Sequence, residues 1–194
     1  LMYLPRGLPD PNHEFYIELL VQQVIPVIKS LAGRTFFLFT SFKALHKAEE
    51  LLRAQSDFSL FVQGEMGKTQ LVESFCRTPN AVLLGTNSFW EGIDVRGQAL
   101  SCVIIDKLPF ESPFDPVVQA RIKQLKRQGI SAFDEYQLPL AVIALKQGLG
   151  RLIRDLNDKG VLIIGDPRLS GRAYGEQFFS SLPEMVITRD KQLV

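Results

Sequence analysis

An α/β fold is predicted for this chain, with a three-layer, mostly parallel sheet covered by helices on both faces. Three observations predict it. First, short apolar runs recur along the chain, among them FFLFT (36–40), FSLFV (58–62), AVLLG (81–85), SCVIID (101–106) and GVLIIG (160–165). Runs of this kind have the composition of strands buried on both faces. Second, the stretches between them carry apolar residues at helical spacing, and strand–helix alternation builds βαβ units and a parallel sheet. Third, 194 residues at 46% hydrophobic and 22% charged suffice for one such domain with its own core.

The elements follow in order. Residues 1–11 hold Pro5, Pro9 and Pro11 and read as an extended lead-in. Asn12 can cap a helix to about residue 32, with Phe15, Leu19, Leu20 and Val24 on its apolar side. Pro26 is a kink point within it, and Gly33 is its terminating glycine. A strand at 36–40, a helix at 42–54, a strand at 58–62, a helix at 68–76 and a strand at 81–85 come next. A long polar loop leads to the strand at 101–106. A proline-rich loop then leads to helices at 115–127 and 133–156, the second interrupted near Pro139. The strand at 160–165 and a short helix at 174–181 complete the series. The domain is therefore assigned to 12–181, between the lead-in 1–11 and a tail at 182–194.

Bulk properties exclude several classes. A net charge of +1 gives no global basic field, so any nucleic-acid binding has to come from local patches. Two cysteines, Cys76 and Cys102, far apart and beside apolar segments, form neither a disulfide framework nor a metal site. No metal ligands are assigned, and the usage fits a reducing cytoplasm. No apolar run approaches a membrane span, and no signal peptide is present. The chain opens Leu1-Met2, which reads as a fragment of something longer.

One stretch imitates a nucleotide site. QGEMGKTQLVESF (63–75) sets Gly-Lys-Thr between a strand and a helix. A phosphate loop needs four residues between its glycines so that the backbone can wrap a phosphate. Only Glu65 and Met66 separate Gly64 from Gly67, and Glu65 puts a carboxylate where phosphate oxygens would sit. A self-contained hydrolase using Lys68 is therefore disfavoured, and Lys68 reads as a solvent-facing residue at a helix start.

Three other segments carry more information. In KQGLGRLIRD (146–155), Gln147, Arg151 and Arg154 are spaced four and three apart and share a helical face within about 60°. Leu145, Leu149, Leu152, Ile153 and Leu156 fall opposite and anchor the helix. Gly148 and Gly150 each cost a helix about 1 kcal/mol against alanine, which suggests close approach to the backbone. Two arginines one turn apart can stabilise charge on a transferring phosphoryl group. GTNSFWEGIDVRG (85–97) follows a buried strand and offers Thr86, Asn87 and Ser88, whose small polar groups suit phosphate-backbone contacts. Phe89 and Trp90 read as packing, and Glu91 and Asp94 as turn residues unless a ligand claims them. In FTSF (39–42), Thr40 or Ser41 caps a helix whose exposed amides could also hold a phosphate.

These segments resemble, in order, motifs IV, V and VI of the second motor domain of superfamily 2 helicases. FLFTSF is similar to motif IV, GTNSFWEGIDVRG to motif V and QGLGRLIRD to motif VI. SFWEGIDV, KLPFESPFDP (107–116) and the closing GVLIIGDPRLSGRAYGEQFFSSLP narrow the resemblance to the DinG/YoaA group of bacterial DNA helicases, relatives of the repair helicase XPD. The resemblance implies a RecA-like second helicase domain without its own phosphate loop, as part of an ATP hydrolase of DNA repair and replication. It implies that ATP and Mg²⁺ are held mainly by a first motor domain of the same full-length chain, where any iron–sulfur cluster would also lie. Gln147, Arg151 and Arg154 become catalytic candidates at the γ-phosphate. Glu91, Gly92 and Asp94 become nucleotide contacts, and Ser41, Thr86, Asn87 and Ser88 contacts to single-stranded DNA, tracked 5′ to 3′. Asp106, with Lys107 after it, reads as a strand end and not as the acidic box. The implied localisation is cytoplasmic and nucleoid-associated.

Two further expectations concern surfaces. Arg121, Lys123, Lys126 and Arg127 make a basic stretch that either lines the strand path or is a solvated helix face. The alternative reading of the whole is a protein-interaction module. The resemblance to the YoaA branch then implies docking of the polymerase III chi subunit through LPEMVITRDKQLV (182–194), against a bland reading of that tail as frayed.

Overall fold

The computed structural model describes residues 1–86, 89, 100–150, 152 and 159–194. Strands β1 (Met2–Tyr3), β2 (Thr35–Phe39), β3 (Ser59–Val62), β4 (Ala81–Thr86), β5 (Cys102–Ile105), β6 (Val161–Ile164) and β7 (Ile187–Thr188) form one sheet of order β3-β4-β2-β5-β6-β1-β7. Every strand pair in it is parallel. The helices are α1 (Tyr16–Ser30), α2 (Phe42–Gln55), α3 (Lys68–Arg77), α4 (Pro116–Arg127), α5 (Leu138–Leu149), α6 (Arg168–Gly171) and α7 (Gly175–Ser181).

The period-2 alternation of strand side chains splits the core in two. Phe36, Leu38, Leu83, Val103, Ile105, Leu162 and Ile164 face one way and pack on α3, α5 and α7 through Leu71, Phe75, Leu145, Leu149 and Phe178. Phe37, Phe39, Val82, Leu84, Ile104 and Ile163 face the other way and meet Leu20, Val24 and Ile28 of α1 and Leu45, Ala48 and Leu52 of α2. Helices on both faces of a parallel sheet explain why the central strands are apolar throughout. The three-layer α/β architecture is as expected.

Several boundaries differ from expectation. α1 starts at Tyr16 and not after Asn12, because Asp10 organises the preceding turn: its carboxylate accepts the Asn12 N–H at 2.9 Å and its carbonyl the His13 N–H at 2.8 Å. The buried stripe of α1 is Tyr16, Leu20, Val21, Val24, Val27 and Ile28, so Phe15 and Leu19, expected inside, face solvent. The helix runs through Pro26 and ends as foreseen at Gly33, whose φ of 75° only glycine adopts without strain. A Cβ at Gly33 would lie 2.4 Å from the carbonyl carbon of Asn80.

In the region expected as a helix at 133–156 with an interruption near Pro139, the described residues form a π-helical turn, Phe133–Gln137, leading into α5 with Pro139 in its first turn. α5 ends at Leu149 with Gly150 as its C-cap, and the Leu152 N–H bonds back to Leu149 at 2.8 Å. The lead-in and the tail were expected to flank the domain. They supply β1 and β7, which pair side by side at one edge of the sheet. Among the described residues no helix is long and apolar enough to cross a membrane.

Candidate nucleotide and nucleic-acid site

In a parallel sheet all strands end on the same side, and ligand sites of open α/β folds form in the loops leaving those carboxyl ends. Here that edge carries a row of polar residues, each directly after an apolar strand: Gln63 after β3, Thr86 closing β4, Thr40 and Ser41 after β2, Asp106 after β5 and Asp166 after β6.

Ser41 caps α2, its hydroxyl oxygen accepting the Ala44 N–H at 3.2 Å. This is the expected structural role, and it leaves the hydroxyl proton available to a further acceptor. Thr86 is nearly buried, and both its N–H and its hydroxyl donate to Gln63 Oε1, at 2.7 and 3.0 Å. Gln147 is exposed in the last turn of α5, opposite the buried Leu145 and Leu149. Leu152 is buried as foreseen, and Gly160 makes room for it. Gly150 takes ordinary right-handed helical angles and serves as a cap; a Cβ there would meet only carbonyls of its own helix. Asn87, Ser88, Trp90, Glu91, Gly92, Asp94, Arg151, Ile153, Arg154 and Leu156 lie outside the described residues.

Asp106 holds the centre of the edge. It is fully buried, and its carboxylate accepts the Lys107 N–H at 2.7 Å and the Thr40 N–H at 3.1 Å, with the Thr40 hydroxyl at 3.4 Å. The Tyr16 hydroxyl donates to its backbone carbonyl. Burial pushes its pKa up to about 7, against the lowering effect of Lys107 and Thr40. Reading Asp106 as a strand end is correct. Its second function, joining the end of β5 to the start of α2, depends on a partner 66 residues away. Asp166, also buried, accepts the Leu108 N–H at 2.8 Å and a guanidinium fork from Arg168. Asp106 thus staples backbone at the loop bases, and Asp166 staples backbone and the Arg168 side chain.

The residues present do not form a phosphate loop at 64–69. Glu65 fills the turn: its carboxylate accepts the Val62 N–H at 3.2 Å and pairs with Arg53 at 3.0 Å. The Lys68 ammonium lies 5.3 Å from the centre of the Phe89 ring. Phe89 itself is buried against Gly85, in agreement with its reading as packing. Among the described residues no cluster of His, Cys, Asp and Glu could hold a metal ion. Cys102 is buried in β5, where burial pushes its thiol up to about 12, and Cys76 is exposed on α3.

Sequence reasoning missed Asp166 and Arg168. The signal available was positional: each lies within four residues of the end of an apolar strand, where a polar side chain can tie off backbone groups left after the sheet pairing ends.

Comparison with known proteins matches residues 24–185 to the helicase C-terminal domain family. The chain belongs to that family. It is 48% identical over 190 residues to the ATP-dependent DNA helicase YoaA of Haemophilus influenzae, covering 98% of this chain and 30% of the relative. It is 35% identical over 185 residues to the ATP-dependent helicase DinG of Mycobacterium tuberculosis, covering 94% of this chain and 28% of the relative. The chain thus spans less than a third of the length of these helicases. Among solved structures it is similar to S. tokodaii Xpd4, with a TM-score of 0.70 at 19% identity over 96% of this chain and 37% of that one. The RecA-like helicase fold of the domain follows from that likeness together with the parallel sheet.

Proposed function

We propose that this domain is the C-terminal motor lobe of an ATP-dependent DNA helicase that moves 5′ to 3′ along single-stranded DNA in repair and replication, in the cytoplasm at the nucleoid. The observation that carries the reading is the family match over residues 24–185, which takes in all three informative segments. Among the described residues the lobe has no phosphate-loop geometry, so in this reading the triphosphate and its Mg²⁺ belong to a first motor domain in the same full-length chain. Motion then comes from closing and opening the cleft between the two lobes.

In this reading Arg151 and Arg154 face the γ-phosphate. Their guanidinium groups stabilise the negative charge that spreads over the equatorial oxygens during transfer. Gln147, exposed at the end of α5, helps to orient the same group. Glu91, Gly92 and Asp94 line the nucleotide side of the 85–97 segment, while Ser41, Thr86, Asn87 and Ser88 meet the DNA backbone. α4 adds a field without base specificity: Arg121, Lys123, Lys126 and Arg127 are all exposed, and none is ion-paired among the described residues.

The test is Arg151→Ala in the full-length enzyme. An arginine serving a transferring phosphoryl group contributes on the order of 10³-fold or more to turnover. DNA-stimulated kcat should fall by about that factor, with KM for ATP changing far less. Turnover within about tenfold of wild type would remove Arg151 from the reaction.

A further inference from the structure

Gln63 follows β3 and stands beside the end of β4. Its Oε1 accepts two hydrogen bonds from one residue, the Thr86 N–H at 2.7 Å and the Thr86 hydroxyl at 3.0 Å. Its own N–H donates to the Leu84 carbonyl at 2.9 Å, extending the β3–β4 pairing by one residue. A single carboxamide therefore closes β4 at the point where the 85–97 segment leaves the sheet.

The same turn makes a second hold three residues further along the 85–97 segment. Lys68, the first residue of α3, lies over the Phe89 ring at 5.3 Å. Phe89 is seated on Gly85, where a Cβ would come within 3.0 Å of the ring. The turn is itself braced by Glu65, which takes the Val62 N–H at 3.2 Å and Arg53 at 3.0 Å. Gln63 and Lys68, in the turn that imitates a phosphate loop in the sequence, contact Thr86 and Phe89.

We propose that Gln63 is a positioning residue for Thr86, which it holds at the end of β4 through both of its donors. The role in turnover rests on reading Thr86 as a contact to the DNA strand of a helicase; the hold on Thr86 does not. Gln63 suits the task because a neutral carbonyl oxygen has two lone pairs, one for each Thr86 donor.

Two measurements on the full-length enzyme test this, with wild type, Gln63→Leu and Gln63→Glu. Hydrogen exchange in a peptide spanning residues 84–89 reads the hold directly. Gln63→Leu removes the acceptor and should speed exchange at Thr86 by roughly tenfold, with the β2 peptide unchanged. ATP turnover against oligo-dT concentration reads the consequence. Half-saturating oligo-dT should rise by roughly tenfold in Gln63→Leu, with KM for ATP within about twofold. Gln63→Glu keeps acceptor oxygens and should remain near wild type in both. Unchanged exchange at Thr86 in Gln63→Leu overturns the hold. Equal losses in both variants, with the ATP and DNA constants moving together, reduce Gln63 to a fold-stabilising residue and overturn the positioning role. A wild-type enzyme that oligo-dT does not stimulate overturns the helicase reading, and the role in turnover with it, whatever the exchange shows.

Discussion

Asp106 shows how one residue can belong to both the fold and the site. It ends an apolar strand, is fully buried, and accepts the Thr40 and Lys107 backbone N–H groups at 3.1 and 2.7 Å. Burial pushes its pKa up to about 7. A carboxyl that holds its proton more tightly folded than unfolded contributes stability at low pH, and that contribution is lost as pH climbs from about 4 to about 7. Asp106→Asn keeps an oxygen for the two N–H groups and removes the proton linkage. The melting midpoint of Asp106→Asn relative to wild type should therefore rise between about pH 4.5 and 7.5. A difference that stays constant with pH would contradict the assignment. At this scale the sequence is legible where chemistry is local. Ser41 as a helix cap and Phe89 as packing are both as foreseen, because each depends on near neighbours. The Thr40–Asp106 and Gln63–Thr86 contacts span 66 and 23 residues, and only the parallel register brings them together.

Among elements, apolar runs locate the central strands to within a residue or two, since strands buried on both faces leave an unbroken apolar signature. The two-residue strands leave none. β1 and β7 are too short to show an apolar run of strand length, so the lead-in and the tail carry no strand signal. Their pairing is nevertheless specific: the Met2 N–H donates to the Val186 carbonyl at 2.8 Å and the Leu4 N–H to Thr188 at 2.9 Å, while Met2 and Leu4 are buried. The tail is thus a docked edge strand and not a frayed end. Deleting residues 183–194 should lower the melting midpoint by roughly 3 °C or more, the equivalent of about 1 kcal/mol in a domain of this size. An unchanged midpoint would mean that β7 adds nothing to the sheet. Helix starts were less legible: α1 begins at Tyr16 and not after Asn12, because the turn at Asp10 comes first.

For the whole molecule, the architecture follows from alternation of apolar strands with amphipathic helices, and the parallel order puts Gln63, Thr86, Thr40, Ser41, Asp106 and Asp166 at one edge of the sheet. What the domain contributes depends on what it lacks. The turn at 64–69 is closed by Glu65, and among the described residues no metal cluster is available. Among the described residues, those assigned to phosphate contact have no phosphate-binding loop to work with. On the proposed reading the domain should be silent alone. The most direct measurement is ATP turnover by this 194-residue domain, with and without single-stranded DNA, beside a full-length enzyme that contains it. The expected result is no turnover by the domain and DNA-stimulated turnover by the full chain. Turnover by the isolated domain that disappears in Lys68→Ala would contradict it, because the GEMGKT turn would then be a working phosphate loop.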